Sequence, residues 1–327
     1  MEYESAELPI VWFDRPAGTL LRELLDGKAR IVDVRGDDPL EGIESAHGAI
    51  VGAAIRYNRT VYERAPNLRV IARAGIGYDN LDLDDATAYG IAACNTPDGP
   101  TVSTAEHAVA LIFAATKGVR ESVDRHEAGD GDYWARHSHL ELDGSTLALL
   151  GLGRIGGYVA RVMSAVGMNI VAYDPYASDE RFAALGARRA NTPAAAAADA
   201  HVLSVHAPLS DATRHLVNAD LLAAMREGVY VVNTSRGGLV DQDALLAALD
   251  SGRVRAAALD VSEPEPLPPD HPLLGRPDVV VTPHVASATN AGRRRIFTHA
   301  VAEVMTALDG AQPPNMLNPE AWPGRSA

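Results

Sequence analysis

Six short apolar runs from residue 146 onward each end on residues that can do chemistry. Thr146–Leu150 breaks into Gly151-Leu152-Gly153-Arg154-Ile155-Gly156, Asn169–Tyr173 closes on Asp174, and His201–Val205 closes on His206. Val229–Asn233 leads into Thr234-Ser235-Arg236, Arg255–Leu259 into Asp260, and Val279–Thr282 into Pro283-His284. Ligands of open α/β sheets bind outside the carboxyl ends of the strands, so these side chains are expected to line one crevice. Taken singly, each has a bland reading: His206 caps a helix, Asp260 starts a turn, and His284 is a hydrogen-bonded structural histidine. Polar and ionisable residues at every run end favour a site.

The glycine loop sits between a β-like run and an apolar pattern at helical spacing (Ile155, Val159, Val162, Met163, Val166), which Gly167 ends. Its glycines have separate physical jobs. Gly151 permits a tight turn, Gly153 lets the backbone approach a pyrophosphate, and Gly156 lets the helix pack close to the strand. The helix start at Arg154 and Ile155 offers unpaired N–H groups and a positive dipole end to phosphates. Asp174, eighteen residues after Gly156, stands where an acid accepts both ribose hydroxyls. A carboxylate there repels a 2′-phosphate, and Pro175 and Tyr176 follow where an NADP enzyme more often shows Arg or Ser. The expected cofactor is NAD.

Beside a nicotinamide, such a crevice supports hydride transfer to or from a carbon bearing oxygen. That reaction needs a proton acceptor near the hydroxyl, and His284 suits because imidazole changes charge near neutral pH. Glu265, in the loop before it, is placed to orient the ring. Arg236 offers a planar guanidinium for a substrate carboxylate. Ser-His nucleophilic catalysis lacks a GxSxG elbow here. Cys94 reads as a buried strand residue.

These residues need a scaffold, and the chain is long enough for about two domains with full cores. Hydrophobic residues make up 47%, with no apolar run of membrane-spanning length. The acidic start MEYESAEL lacks the apolar core of a signal peptide, and a single cysteine fits a reducing cytoplasm. A net charge of −14 argues against nucleic acid.

From residue 146 the β-like runs recur every 23 to 32 residues with helical segments between most of them, which predicts a six-stranded doubly wound sheet. Ser262–Pro277, with six prolines, is expected to be irregular loop. Residues 1–100 also alternate: runs at Ile10–Phe13, Arg30–Val34, Ala49–Gly52, Arg69–Arg73 and Ile91–Cys94, and candidate helices at Thr19–Leu25, Thr60–Ala65 and Leu83–Tyr89. The loop Arg73–Asn80 follows a run directly, and its glycines either turn amides toward an anion, as in a nest, or make an ordinary turn. Ser103-Thr104-Ala105-Glu106 predicts a capping box opening a helix to about Lys117. Residues 118–145 read as a polar, solvated arm, in which His137, His139 and Glu141 are a poor metal set. A final helix is expected at Asn290–Leu308, followed by a Pro-rich tail running back over the first domain.

RAGIGYDNLD, GLGRIG, NTSRGGLVDQDALLAAL, AALDVSEPEP and TPHVASAT resemble, in order, signatures of the D-isomer-specific 2-hydroxyacid dehydrogenases, over about residues 49–310. The resemblance implies an α/β chain of two doubly wound parallel-sheet domains. A Rossmann NAD-binding domain (101–289) joins a smaller flavodoxin-like substrate domain (1–100 with 290–327). It also implies Arg236, Glu265 and His284 as catalytic residues. The cofactor-binding residues it implies are Gly151, Gly153, Arg154, Ile155, Gly156, Asp174, His206, Thr234 and Asp260, the last at the nicotinamide. The loop Arg73, Ala74, Gly75, Ile76 corresponds to the one whose amides hold the substrate carboxylate. In the phosphoglycerate dehydrogenase-like branch an Arg matching Arg73 helps bind phosphate, and Arg56 offers another cation. Ser262 departs from the aromatic that many members carry. The expected partners are a small 2-hydroxy or 2-keto acid and a second copy of the chain, with no metal, membrane or nucleic acid. Two readings compete with a phosphoglycerate-directed enzyme: a glyoxylate/hydroxypyruvate reductase, and an NAD(H)-sensing, corepressor-like binding protein.

Overall fold

The computed structural model describes residues 7–322 and divides the chain into two compact units. One comprises residues 7–100 with 289–322, the other Thr101–Ala288. The ends, including Pro323 and most of the acidic start, lie outside the described residues.

The first unit holds β1 (Ile10–Phe13), β2 (Arg30–Asp33), β3 (Gly48–Val51), β4 (Val70–Arg73) and β5 (Ala92–Cys94) in the all-parallel order 2-1-3-4-5. That is the flavodoxin-like order. Helices run at Thr19–Leu25, Arg59–Glu63 and Leu83–Ala88, and the last helix occupies Asn290–Leu308 behind a Thr289 cap that accepts from the Gly292 amide. Past it, Met316 bridges Cys94 antiparallel, and the Leu317 amide donates to the Ala93 carbonyl. Asn318, 1% exposed, accepts from the Ala93 amide and donates to the Ile91 carbonyl. The tail thereby covers the open edge of β5, whose unpaired backbone groups are otherwise a template for aggregation.

The second unit holds β6 (Thr146–Leu150), β7 (Asn169–Tyr173), β8 (Arg188–Arg189), β9 (Val202–Val205), β10 (Val229–Asn233), β11 (Val254–Leu259) and β12 (Val279–Val281). All pairs are parallel, in the order 12-11-10-9-6-7-8. Six of these are the predicted runs. β8 is additional, since two arginines pairing at the edge of β7 leave no apolar signal in sequence. Burial on both faces explains the near-continuous apolar runs. Leu147 and Leu149 of β6 enter one core with Val159, Ala160 and Met163; Ala148 and Leu150 enter the other with Leu221, Leu245 and Leu249. Each such leucine stabilises the sheet by about 2 kcal/mol on burial.

Two expectations are corrected. The long helix runs Thr101–Thr116, starting directly after Pro100, so Ser103 lies buried inside its first turn and not at the position before it. The arm contains helices Val119–Glu127 and Tyr133–Arg136. His139 there is no solvated residue: its side chain is 4% exposed, beside Glu121, which also pairs with Arg125 and Arg255. Burial pushes the His139 imidazole below its ordinary value. Among the described residues no His/Cys/Asp/Glu group of three or more suits a metal, and no helix is long and apolar enough to cross a membrane.

Candidate active site

The three loop glycines occupy different environments. Gly151 has φ +104°, and a Cβ there would lie 2.7 Å from the His206 carbonyl carbon and oxygen, because β6 and β9 meet at the switch point of the strand order. A Cβ on Gly156 would lie 2.2 Å from the Gly151 carbonyl oxygen, so the helix Arg154–Ala165 packs hard on the loop. Gly153 is the reverse. It is exposed, and nothing stands within 4 Å of its Cβ position, at the helix start where a phosphate would be received. Asp174 reaches back to the loop: Oδ2 accepts from the Leu152 amide at 2.7 Å, and Oδ1 accepts from the Tyr176 and Ala177 amides. Arg181, unmarked in the sequence reading, donates to the Leu152 and Gly153 carbonyls at 3.1 and 2.8 Å. Asp174 thus fixes a loop amide and Arg181 the loop carbonyls.

Next to this loop stand two orphaned polar atoms. His206 Nε2 meets Ser204 Oγ at 2.9 Å, but its Nδ1 is enclosed with no hydrogen-bond partner. Burial drives this imidazole down to about 4, so the ring is neutral near pH 7. The Thr234 hydroxyl, one strand over, is likewise buried and unpartnered. Buried polar groups nearly always find partners, so two orphans at adjacent strand ends fit a bound molecule with polar groups. Together with the space over Gly153, they fit a dinucleotide.

Arg236 follows β10 on a turn held by Asn233, which donates to the Arg236 carbonyl and accepts from the Ser235 amide, while Ser235 Oγ donates to the Val205 carbonyl. A Cβ on Gly237 would lie 2.1 Å from the Ser262 carbonyl. Only glycine allows this turn to press against the segment that carries Glu265. Gln242 brackets Glu263 through both its backbone groups, and the Ser262 amide lies 3.4 Å from Glu265 Oε2. Glu265 Oε1 meets His284 Nδ1 at 2.5 Å. Burial raises the Glu265 carboxyl, but His284, the Ser262 amide and the Arg236 charge outweigh it and hold the group below the usual carboxylate range. His284 and Glu265 border a pocket of about 380 Å³ with Ser262, Leu267 and Thr282.

Asp260 is enclosed, with no side-chain exposure. Its oxygens accept from Thr282 Oγ1, the Val285 amide and the Ala286 amide. Its carboxylate holds the turn bearing His284. Neither Thr282 nor His107, 3.1 Å from the Thr282 hydroxyl, was singled out in sequence.

In the first unit, the Ala74 amide donates to the Val51 carbonyl and the Gly75 amide to the Arg73 carbonyl, so two amides of the expected nest are used inside the unit. The Arg73 side chain is buried, with Nη1 on the Ala74 carbonyl at 2.5 Å and in the space above Gly75. Arg56 is 73% exposed and faces Asp82 at 3.9 Å, which draws it to its own surface. Arg15, not picked out in sequence, places its guanidinium over Gly52 and bonds Asp14.

Residues 109–286 match the family model described as D-isomer specific 2-hydroxyacid dehydrogenase, NAD binding domain. A D-3-phosphoglycerate dehydrogenase of Methanocaldococcus jannaschii is 37% identical over 86% of this chain and 53% of its own. A glyoxylate reductase of Aeropyrum pernix is 39% identical over 81% of each chain. The chain spans about half the length of the phosphoglycerate dehydrogenases it matches. Among solved structures, a D-lactate dehydrogenase from Aquifex aeolicus complexed with NAD and lactic acid superposes with a TM-score of 0.86 at 25% identity, covering 97% of this chain and 100% of that one.

Proposed function

Because this chain belongs to the D-isomer-specific 2-hydroxyacid dehydrogenase family, we propose that it is an NAD-dependent oxidoreductase that interconverts a D-2-hydroxy acid and its 2-keto acid. The observation that carries the reading is the 2.5 Å pair of His284 Nδ1 with a Glu265 carboxylate held below its usual range beside Arg236. NAD, when bound, supplies or accepts the hydride at C2. Glu265 fixes Nδ1 and leaves His284 Nε2 to face the substrate oxygen. In reduction Nε2–H protonates that oxygen; in oxidation the neutral ring takes the hydroxyl proton. Arg236 grips the substrate carboxylate and polarises the carbonyl.

Gly151, Gly153, Arg154, Ile155, Gly156, Asp174, His206 and Thr234 are the groups that would hold the dinucleotide. The loop Arg73–Ile76 is proposed as a second contact for the carboxylate. A phosphorylated substrate such as D-3-phosphoglycerate is supported by the relatives' names and by the buried Arg73, while Arg56, drawn to Asp82, adds little. A two-fold homodimer in the cytoplasm belongs to the same reading. The exposed Val119, Val123, Tyr133 and Trp134 on the arm, the last 92% exposed, support the dimer; light scattering showing a monomer at micromolar concentration would contradict it.

The test is NADH oxidation with glyoxylate, pyruvate, hydroxypyruvate and 3-phosphohydroxypyruvate, in the wild type and in His284→Gln. Turnover in the variant should drop by roughly two to four orders of magnitude, with NADH affinity nearly unchanged. No turnover of any keto acid by the wild type would favour an NAD(H)-sensing binding protein. Near-normal turnover by the variant would remove His284 from the mechanism.

A further inference from the structure

His284 has φ +52°, in the left-handed region that residues with a Cβ seldom enter. Such a conformation persists only where the surroundings over-determine it. Here the surroundings are specific. The His284 amide donates to the Asp260 and Thr282 carbonyls at 2.8 and 3.0 Å. The next two amides, of Val285 and Ala286, donate to opposite oxygens of the Asp260 carboxylate, both at 2.9 Å. Thr282 Oγ1 donates to Asp260 Oδ1 at 2.6 Å. With its proton so used, the Thr282 oxygen is the acceptor for His107 Nε2 at 3.1 Å, and the same nitrogen lies 3.4 Å from Asp260 Oδ1. His107 sits in the helix Thr101–Thr116, so the chain of hydrogen bonds ties that helix to the strand end.

We infer that His107, Thr282 and Asp260 form a clamp that fixes the backbone of His284 and aims its ring, making all three positioning residues for the acid–base. The inference rests on the reading of His284 given above and assigns Asp260 work other than contact with the nicotinamide. An Asp260→Asn side chain keeps the shape, yet in either orientation its amide nitrogen faces one of the two backbone N–H donors. The clamp then opens on one side. Thr282→Val and His107→Leu break the outer links and leave the inner carboxylate in place.

The experiment combines kinetics, cofactor binding and amide exchange. Asp260→Asn should lower kcat by about a hundredfold, the scale of a misplacement of roughly 1 Å, and Thr282→Val and His107→Leu by about tenfold each. NADH affinity should stay at the wild-type value, and the pH profile of kcat should change with the ring's hydrogen bonding. Exchange at the Val285 and Ala286 amides should quicken in all three variants. In a His284→Gln background, Thr282→Val should cost almost nothing further, since there is no acid–base left to position. Weakened NADH binding that accounts for the whole loss, with exchange unchanged, would overturn the clamp in favour of a direct cofactor contact. Losses that multiply with His284→Gln would overturn it as well. Should Asp260→Asn fail to fold, the two outer variants carry the test. Normal turnover by His284→Gln alone would instead sink the reading of His284, while amide exchange still reports on the clamp.

Discussion

Replacing Glu265 with Gln isolates the charge that orients the His284 ring. The carboxylate accepts from His284 Nδ1 at 2.5 Å, and Gln preserves the length and an acceptor oxygen. A hydrogen bond to a charged group contributes about 1.5–3 kcal/mol, a neutral one about 1 kcal/mol. The two side chains are 30% and 38% exposed, so solvent screens part of the difference and roughly 1 kcal/mol remains. That corresponds to about a fivefold loss in kcat for keto-acid reduction. The pH profile is the more telling readout. With its carboxyl held below the usual range, Glu265 is anionic at neutral pH and accepts from His284 Nδ1. The Glu265→Gln side chain does not ionise, so the acid fall-off in rate that tracks protonation of this carboxyl should be absent from the variant. In the wild type the depressed carboxyl stabilises the fold above the ordinary carboxylate range, and this contribution is lost as pH falls through the folded value. Initial rates of NADH oxidation and NAD reduction from acid to neutral pH decide the matter. Full activity with an unmoved profile, or a loss confined to NADH affinity, would refute the role given to Glu265.

Asp174→Ser should weaken NAD binding roughly tenfold or more, since a charge-assisted contact and the anchor of the Leu152 amide go together. It should also narrow the preference for NADH over NADPH in titrations; a wild type that already binds both equally would contradict the assignment. Arg73→Ala should cost a phosphorylated keto acid about 1.5–3 kcal/mol in apparent binding and the neutral-tailed ones much less. Equal losses across the substrate panel would mean that Arg73 only shapes the Gly75 turn. His206, neutral when folded and moved from 6.5 to about 4, makes the unfolded chain the better proton acceptor between those values. Stability should therefore fall as pH drops from 6.5 toward 4, and urea melts of His206→Gln should lack that component.

The strand-ending residues were legible because a buried parallel strand is an unbroken apolar run, and the first polar residue after it marks its carboxyl end. That alone brings Gly151, Asp174, Arg236 and His284 to one edge of one sheet. Local conformation was legible too where a glycine is required, as at Gly151 and Gly156. What the sequence left hidden are side chains whose partners lie far along the chain. Arg181 meets the glycine loop across 28 residues, and His107 meets Thr282 across 175. Neither belongs to a spacing pattern, since their neighbours are set by how helices pack on the sheet. The same cause hid the work that Asp260 does inside the fold. A carboxylate at a strand end reads as a ligand group, and only the folded turn supplies the three protein donors that surround it. The enclosed His139, beside Glu121, follows this rule as well. Polar residues become interior only when distant partners satisfy their hydrogen bonds, and linear order carries no record of that pairing.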